Sequence, residues 1–414
     1  MLISHYLAFT LLLLWLVPTA RSFPNKEDCL RSGVPILMWT RGLARYSGQI
    51  YPNKMGKHEG GFFEAGSKDD PHYIYKSKMI DGDVVYVATA DFPYFLEKFA
   101  ELPKKARIVL ITGSEDIGTP FELFHPSRNY RSYNMQDLWP RGQIIDMETF
   151  LLDPRLKKWF AQNYDLVGCN HYTCSSLTRE SVARDDKHQQ MLQKVEPIPI
   201  GLDLHTLIAK RRKVSRSHKG MDGMVCDQLR EMYSISHAKR VVPFARRAMV
   251  VNAEFTCDFK LLKGAKFREL TRGKLCKLTN EALVRGDYRY HRKERSEREG
   301  TLDLQQQKRV FWTRLTKVTF AFAPPGYGMD THRAWEILSM RTVPIVIASP
   351  LDGLHEQFPV VIVEDWQEAF EEGALERFKK QIIKRWGMEP FGSDVMTRLG
   401  LEYWIDLVNN ASQS

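Results

Sequence analysis

Beyond its opening residues this chain of 414 has no apolar run that reads as a membrane span, which confines any predicted span to its start. It has no short internal repeat, and this sets aside solenoids and propellers. No C-x-x-C pair occurs; the Cys169 to Cys174 stretch, CNHYTC, lacks zinc-site spacing, and its lone His171 reads as structural. No G-x-G-x-x-G follows the first predicted strand, which weighs against a dinucleotide-binding domain there. What the chain does have is bulk and positive charge. At 48.1 kDa and 43% hydrophobic residues it can bury a large core, and its length favours two or three domains. Sixty Lys and Arg against 50 Asp and Glu give a net charge of +10. That suits an anionic ligand: nucleic acid, acidic glycan, anionic membrane surface or nucleotide diphosphate.

Residues Tyr6 to Val17 form a nearly unbroken apolar run, followed by Pro18 and the small residues Ala20 and Ser22. The pattern predicts a secretory signal over 1–22, cleaved after Ser22 or kept as a signal anchor, although its leading residues carry His5 and no Lys or Arg. Six cysteines, an even number, would then meet an oxidising compartment, where one to three disulfides or simply buried thiols are expected. The triplet Asn410-Ala411-Ser412 is a glycosylation sequon in keeping with that routing.

Short apolar runs at Asp83 to Thr89, Arg107 to Gly113, Asp165 to Asn170 and Pro197 to Leu202 read as buried strands or strand ends. FPYFLEKFAELPKK lies between the first two and DPRLKKWFAQN ahead of the third, each with helical spacing. Further strands are expected at Ala248 to Phe255, Val318 to Ala323, Pro344 to Ser349 and Pro359 to Asp365, with helices at Thr331 to Met340 and in EEGALERFKKQIIKRW. Such alternation predicts parallel sheets covered on both faces. The fold class expected is α/β, with two Rossmann-like domains. The expected division is an N-terminal domain over 23–205, a basic linker region over 206–245 and a C-terminal domain over 246–414. The basic run Lys210 to Lys219 reads as a surface loop near the boundary, and the charged stretch Arg285 to Glu299 as solvated surface.

The most informative stretch is TKVTFAFAPPGYGMDTHRAWEILSMRTVPIVIASP, Thr316 to Pro350. After a strand, Gly326 and Gly328 would permit backbone angles closed to other residues and a close ligand approach. Asp330 or Thr331 would cap the next helix, whose free N–H groups and positive dipole end would face an anion such as a diphosphate. Arg333 in the first turn could add a charge-assisted contact, and Glu336 could accept ribose hydroxyls. A packing turn followed by a salt-bridged surface helix accounts for the same pattern.

These residues, with VPIVIASPLDGLHEQFPVVIVEDW after them, resemble the donor-side block of exostosin-like glycosyltransferases, with its Pro-x-Gly-x-Gly-x-Asp-x-x-Arg-x-x-Glu pattern. TADFPYF at Thr89 to Phe95, KKWFAQN at Lys157 to Asn163 and PIPIGLDLHT at Pro197 to Thr206 resemble the same group, so the likeness touches most of the chain from Val84 to Trp366. The resemblance implies a GT-B arrangement, with an acceptor domain and a nucleotide-sugar domain facing a cleft. It implies a donor site on Gly326, Gly328, Asp330, Thr331, Arg333 and Glu336, with no metal and no cofactor beyond the nucleotide-sugar substrate. Two positions depart: Pro325 stands where such sequences often have Arg or His, and Arg341 where they often have Gly, which would change the turn before Pro344.

An inverting transfer needs a base to take the acceptor hydroxyl proton. Asp91, Glu115, Asp116 and His171 follow predicted strands, and Asp91 and Asp116 are the preferred candidates. The leading expectation is a glycosyltransferase of the secretory pathway, in the Golgi lumen or membrane or secreted. It would act on a glycan or glycoprotein acceptor and bind no nucleic acid. An inactive glycan-binding relative and an unrelated nucleotide enzyme are the alternatives.

Overall fold

The computed structural model describes residues 34–39, 42–45, 49–51, 80–89, 92–113, 116–124, 129–130, 133–134, 146–166, 185–204, 221–239, 241–257, 266–291, 304–326 and 328–414. The chain is α/β, with two five-stranded parallel sheets flanked by helices. The first sheet takes β1 (Gln49–Tyr51), β2 (Val84–Ala88), β3 (Ile108–Gly113), β6 (Leu156–Ala161) and β7 (Val195–Pro197) side by side in that order, and β4 (Asn129–Tyr130) and β5 (Tyr133–Asn134) pair separately as an antiparallel hairpin. The second contains β8 (Ala248–Asn252), β9 (Tyr290–His291), β10 (Val318–Phe322), β11 (Val343–Ile347) and β12 (Val361–Val363), in the order β12-β11-β10-β8-β9. The second order reverses direction between β8 and β10. In open parallel sheets such a reversal leaves a crevice at the carboxyl ends of the two strands, where ligands bind.

The helices between these strands include α1 (Phe92–Ala100), α2 (Phe121–Phe124), α3 (Met147–Leu152), α4 (Asp186–Lys194), α5 (Met221–Ser236), α6 (Lys266–Val284), α7 (Leu304–Leu315), α8 (His332–Ser339) and α9 (Asp352–His355). α10 (Ala374–Trp386), α11 (Ser393–Leu399) and α12 (Leu401–Gln413) end the chain. The first core is aromatic: Phe92 stacks on Trp159 at 5.1 Å, and Phe150 meets both edge-on. The second gathers Phe322 and Phe370 against Tyr290, whose hydroxyl donates to Ala369 O at 2.6 Å.

Three expectations are corrected. The segment predicted helical, DPRLKKWFAQN, contains β6, a strand between β3 and β7. Its spacing of Leu156, Trp159 and Phe160 fits a helix, but Trp159 is fully buried and donates to Thr112 Oγ1 on β3, while Lys157 and Lys158 carry their ammonium groups out to Ser412 O and Glu196. Of the strand read at Asp165 to Asn170, the described residues Asp165 and Leu166 are not strand, and the Asp165 carboxylate accepts the N–H groups that open α2, from Phe121 (2.6 Å) and Glu122 (2.9 Å). The charged stretch from Arg285 is not all surface, because Tyr290 is 2% exposed on edge strand β9.

Within the predicted linker region, α5 packs against α7, and Gln228 donates to Leu204 O; residues 210–219 lie outside the described residues. α12 leaves the second sheet and packs on β2, β3 and β6 of the first. There Ser412 of the predicted sequon donates its hydroxyl to Gly82 O. Among the described residues no helix is long and apolar enough to cross a membrane; residues 1–22, with the predicted signal, are not among them.

Candidate functional site

The turn after β10 ties the two halves of the chain together. Asn163, two residues beyond β6 and left-handed at φ 54°, is fully buried and its Oδ1 accepts the N–H of Asp330 at 3.0 Å. A Cβ on Gly328 would stand 2.4 Å from that oxygen. Glycine is therefore required at 328 for close approach, and the expectation of special backbone angles is corrected: neither Gly326 nor Gly328 has a left-handed φ. Gly326 donates its N–H to Gly328 O at 3.1 Å, and a Cβ there would meet Thr331 Cγ2 at an ordinary contact distance of 3.7 Å.

Asp330 is 2% exposed and does not cap α8. One carboxylate oxygen accepts the Ile200 N–H (2.7 Å) just past β7, and the other accepts the Trp335 indole N–H (2.8 Å). Burial raises its pKa to about 6, against the lowering effect of those hydrogen bonds. Thr331 is the N-cap residue, with no side-chain cap hydrogen bond. His332 bonds through Nδ1 to Gly201 O at 2.7 Å. The start of α8 is thus fastened to the segments following β6 and β7, across sequence separations of 130 and more.

Arg333 lies at the reversal of the second sheet. Its Nε donates to Phe322 O (2.9 Å) at the end of β10, its Nη2 donates to Glu254 O just beyond β8, and its guanidinium lies 4.9 Å over the Phe311 ring. Arg272, on α6, reaches the same place, its Nη1 donating to Pro325 O at 3.4 Å. The Nε of Arg272 is buried with no hydrogen-bond partner, and burial holds its pKa below the ordinary arginine value. Arg333 is pulled down to about 10, by burial first, with Glu336 opposing and Arg272 adding to the effect. Both remain cations at neutral pH, so two positive charges repel each other at the β8–β10 reversal. A phosphate group placed there would relieve the repulsion and bond the bare Nε.

The Cys257–Cys276 disulfide ties the segment after β8 to α6, four residues along the helix from Arg272. Residues four apart share a helix face, so the cross-link holds the side of α6 that carries Arg272 against the segment after β8. Cys226 is disulfide-bonded as well. Nothing in the sequence singled out Arg272; the available signal was an arginine one turn ahead of a cysteine.

The remaining expected residues fall differently. Glu336 is 4% exposed and ion-paired with Lys308 of α7, which occupies the carboxylate expected to face ribose. Asp116 is half-buried in the loop after β3, whereas Asp91, Glu115 and His171 lie outside the described residues. Arg341 takes φ 56°, the left-handed turn that glycine favours, and its N–H donates to Leu338 O at 2.9 Å, so α8 ends in a left-handed turn without glycine. Asp81 and Asp83, an Asp-Gly-Asp pair, serve the amino end of the first sheet, accepting the N–H groups of Arg107 and Ile80. Among the described residues no group of three or more His, Cys, Asp or Glu could hold a metal ion. In comparisons with known proteins, no family model matches the chain and no curated protein matches it.

Proposed function

We propose that the protein is a glycosyltransferase of the secretory pathway that binds a nucleotide-sugar at the carboxyl edge of its second sheet. The observation that carries the reading is the convergence of Arg272 and Arg333 at the β8–β10 reversal, one guanidinium left with a buried unpaired N–H. In this GT-B-type reading the first domain receives the glycan or glycoprotein acceptor across a cleft. The two arginines stabilise the charge that develops on the departing diphosphate. Arg272 also supplies, from α6, the cation that Pro325 does not. The acceptor hydroxyl attacks the anomeric carbon while a first-domain carboxylate, Asp91 or Asp116, takes its proton. Gly328 and Asp330 act on this reading by fixing the two domains relative to each other, and Glu336 by holding Lys308.

The test is calorimetric titration of UDP and GDP into the wild type and Arg272→Met, which keeps the side-chain stem. Losing a charge-assisted contact of about 1.5–3 kcal/mol should weaken diphosphate binding roughly 10- to 150-fold with the thermal midpoint retained. Binding by the wild type and equal binding by the variant would remove Arg272 from the site.

A further inference from the structure

His355 ends α9 at 4% exposure, and neither of its ring nitrogens has a hydrogen-bond partner. It forms part of the wall of a small recess at the carboxyl ends of β10 and β11, together with Asp330, Thr331 and Ser349. Pro325 lies in the same wall while its carbonyl is bonded by Arg272, so the recess and the arginine pair flank one loop. The other polar groups of the wall are largely engaged. Both Asp330 oxygens accept hydrogen bonds, and Ser349 Oγ accepts the Leu351 N–H at 3.2 Å. Of the buried side-chain nitrogens and oxygens in the wall, those of the imidazole are left bare. A buried polar group without a partner is costly, and functional sites are one place where chains carry such a cost.

We propose that this recess receives a neutral hydroxyl group of the bound ligand, hydrogen-bonded by His355, which thereby sets specificity. The inference rests on the nucleotide-sugar reading for the ligand's identity. The choice of group follows from the wall. A cation would find both Asp330 oxygens already committed, an anion would find no cation in the lining, and an apolar group would leave both nitrogens bare. Burial lowers the imidazole pKa to about 4, so at neutral pH the ring offers one donor and one acceptor, the complement of a hydroxyl. Two parts of a nucleotide-sugar carry such hydroxyls: the sugar to be transferred and the ribose.

His355→Leu removes both nitrogens and leaves no bare polar group, so folding should be retained, as a thermal melt at pH 7.5 will check. His355→Gln keeps a neutral donor and acceptor. Affinities would be measured for UDP, GDP, UDP-glucose, GDP-mannose, and the 2′- and 3′-deoxy forms of UDP. Loss of one hydrogen bond of about 1–1.5 kcal/mol is a five- to twelvefold weakening. If the sugar fills the recess, His355→Leu weakens at least one sugar conjugate by that factor but leaves UDP and GDP unchanged, and His355→Gln restores part of the loss. If the ribose fills it, UDP itself weakens by that factor, and one deoxy form binds the wild type and the leucine variant alike. Wild-type binding of these ligands with the same affinities in His355→Leu overturns the inference alone. Binding of none of them by the wild type overturns the nucleotide reading and the inference with it.

Discussion

Asp330→Ala is expected to destabilise the protein by about 2–6 kcal/mol, because it orphans two buried donors worth about 1–3 kcal/mol each. Those donors belong to different halves of the chain: the Ile200 N–H follows β7 and the Trp335 indole lies on α8. The loss should therefore appear first as looser attachment between the halves. Amide hydrogen exchange should speed up around 198–202 and 328–335 before the sheet interiors respond. Urea unfolding gives the total. A change below about 0.5 kcal/mol, the range of an ordinary surface substitution, would show that the clasp is not made as described.

The second large effect is on pH dependence, where two buried groups oppose each other. His355 has a pKa lowered by burial to about 4 from an ordinary value of 6.5. On acidification the unfolded chain takes this proton first. The stability present above pH 6.5 is lost as pH falls toward 4, by about 3 kcal/mol in all. Asp330 runs the other way, raised by burial to about 6 from 3.8. The folded protein takes that proton first, so its contribution is fully present below pH 3.8 and is lost as pH rises through 6, again by about 3 kcal/mol. Between pH 6 and 4 the two contributions nearly cancel. His355→Leu should unmask the aspartate: relative to the wild type, the variant gains about 3 kcal/mol as pH falls from 6.5 to 4. Urea unfolding of both proteins across that range checks this, and a difference constant with pH would contradict it.

The sequence was most legible where burial leaves a one-dimensional trace. Strands β2, β3, β8, β10, β11 and β12 are continuous apolar runs, and α8 and α10 follow as periodic segments, so the α/β class and both parallel sheets could be read from the order of residues alone. β6 could not, since Trp159 takes its strand position by packing on Phe92 and bonding Thr112, partners far along the chain. β9 is hidden because one buried tyrosine lies among charged neighbours.

The candidate site divides the same way. The Gly-x-Gly-x-Asp-x-x-Arg pattern put a turn after β10 and Arg333 in the first turn of the helix that follows, and both stand there. It misassigned the roles of Gly328 and Asp330, whose partners Asn163 and Ile200 lie in the other half of the chain. Arg272 and His355 had no local signature, because each matters through what it lacks once folded, a partner for a buried nitrogen.

Turnover tests the central claim, sugar transfer from a nucleotide donor, most directly. Wild-type protein would be incubated with a panel of nucleotide-sugars and a broad panel of acceptor glycans, and nucleoside diphosphate release measured with and without acceptor. Acceptor-dependent release is expected from at least one donor, reduced at least tenfold in Arg272→Met, in line with loss of a charge-assisted contact at the diphosphate. Saturable donor binding with no acceptor-dependent release from any pair would contradict the claim and leave a protein that binds nucleotide-sugars without transferring them.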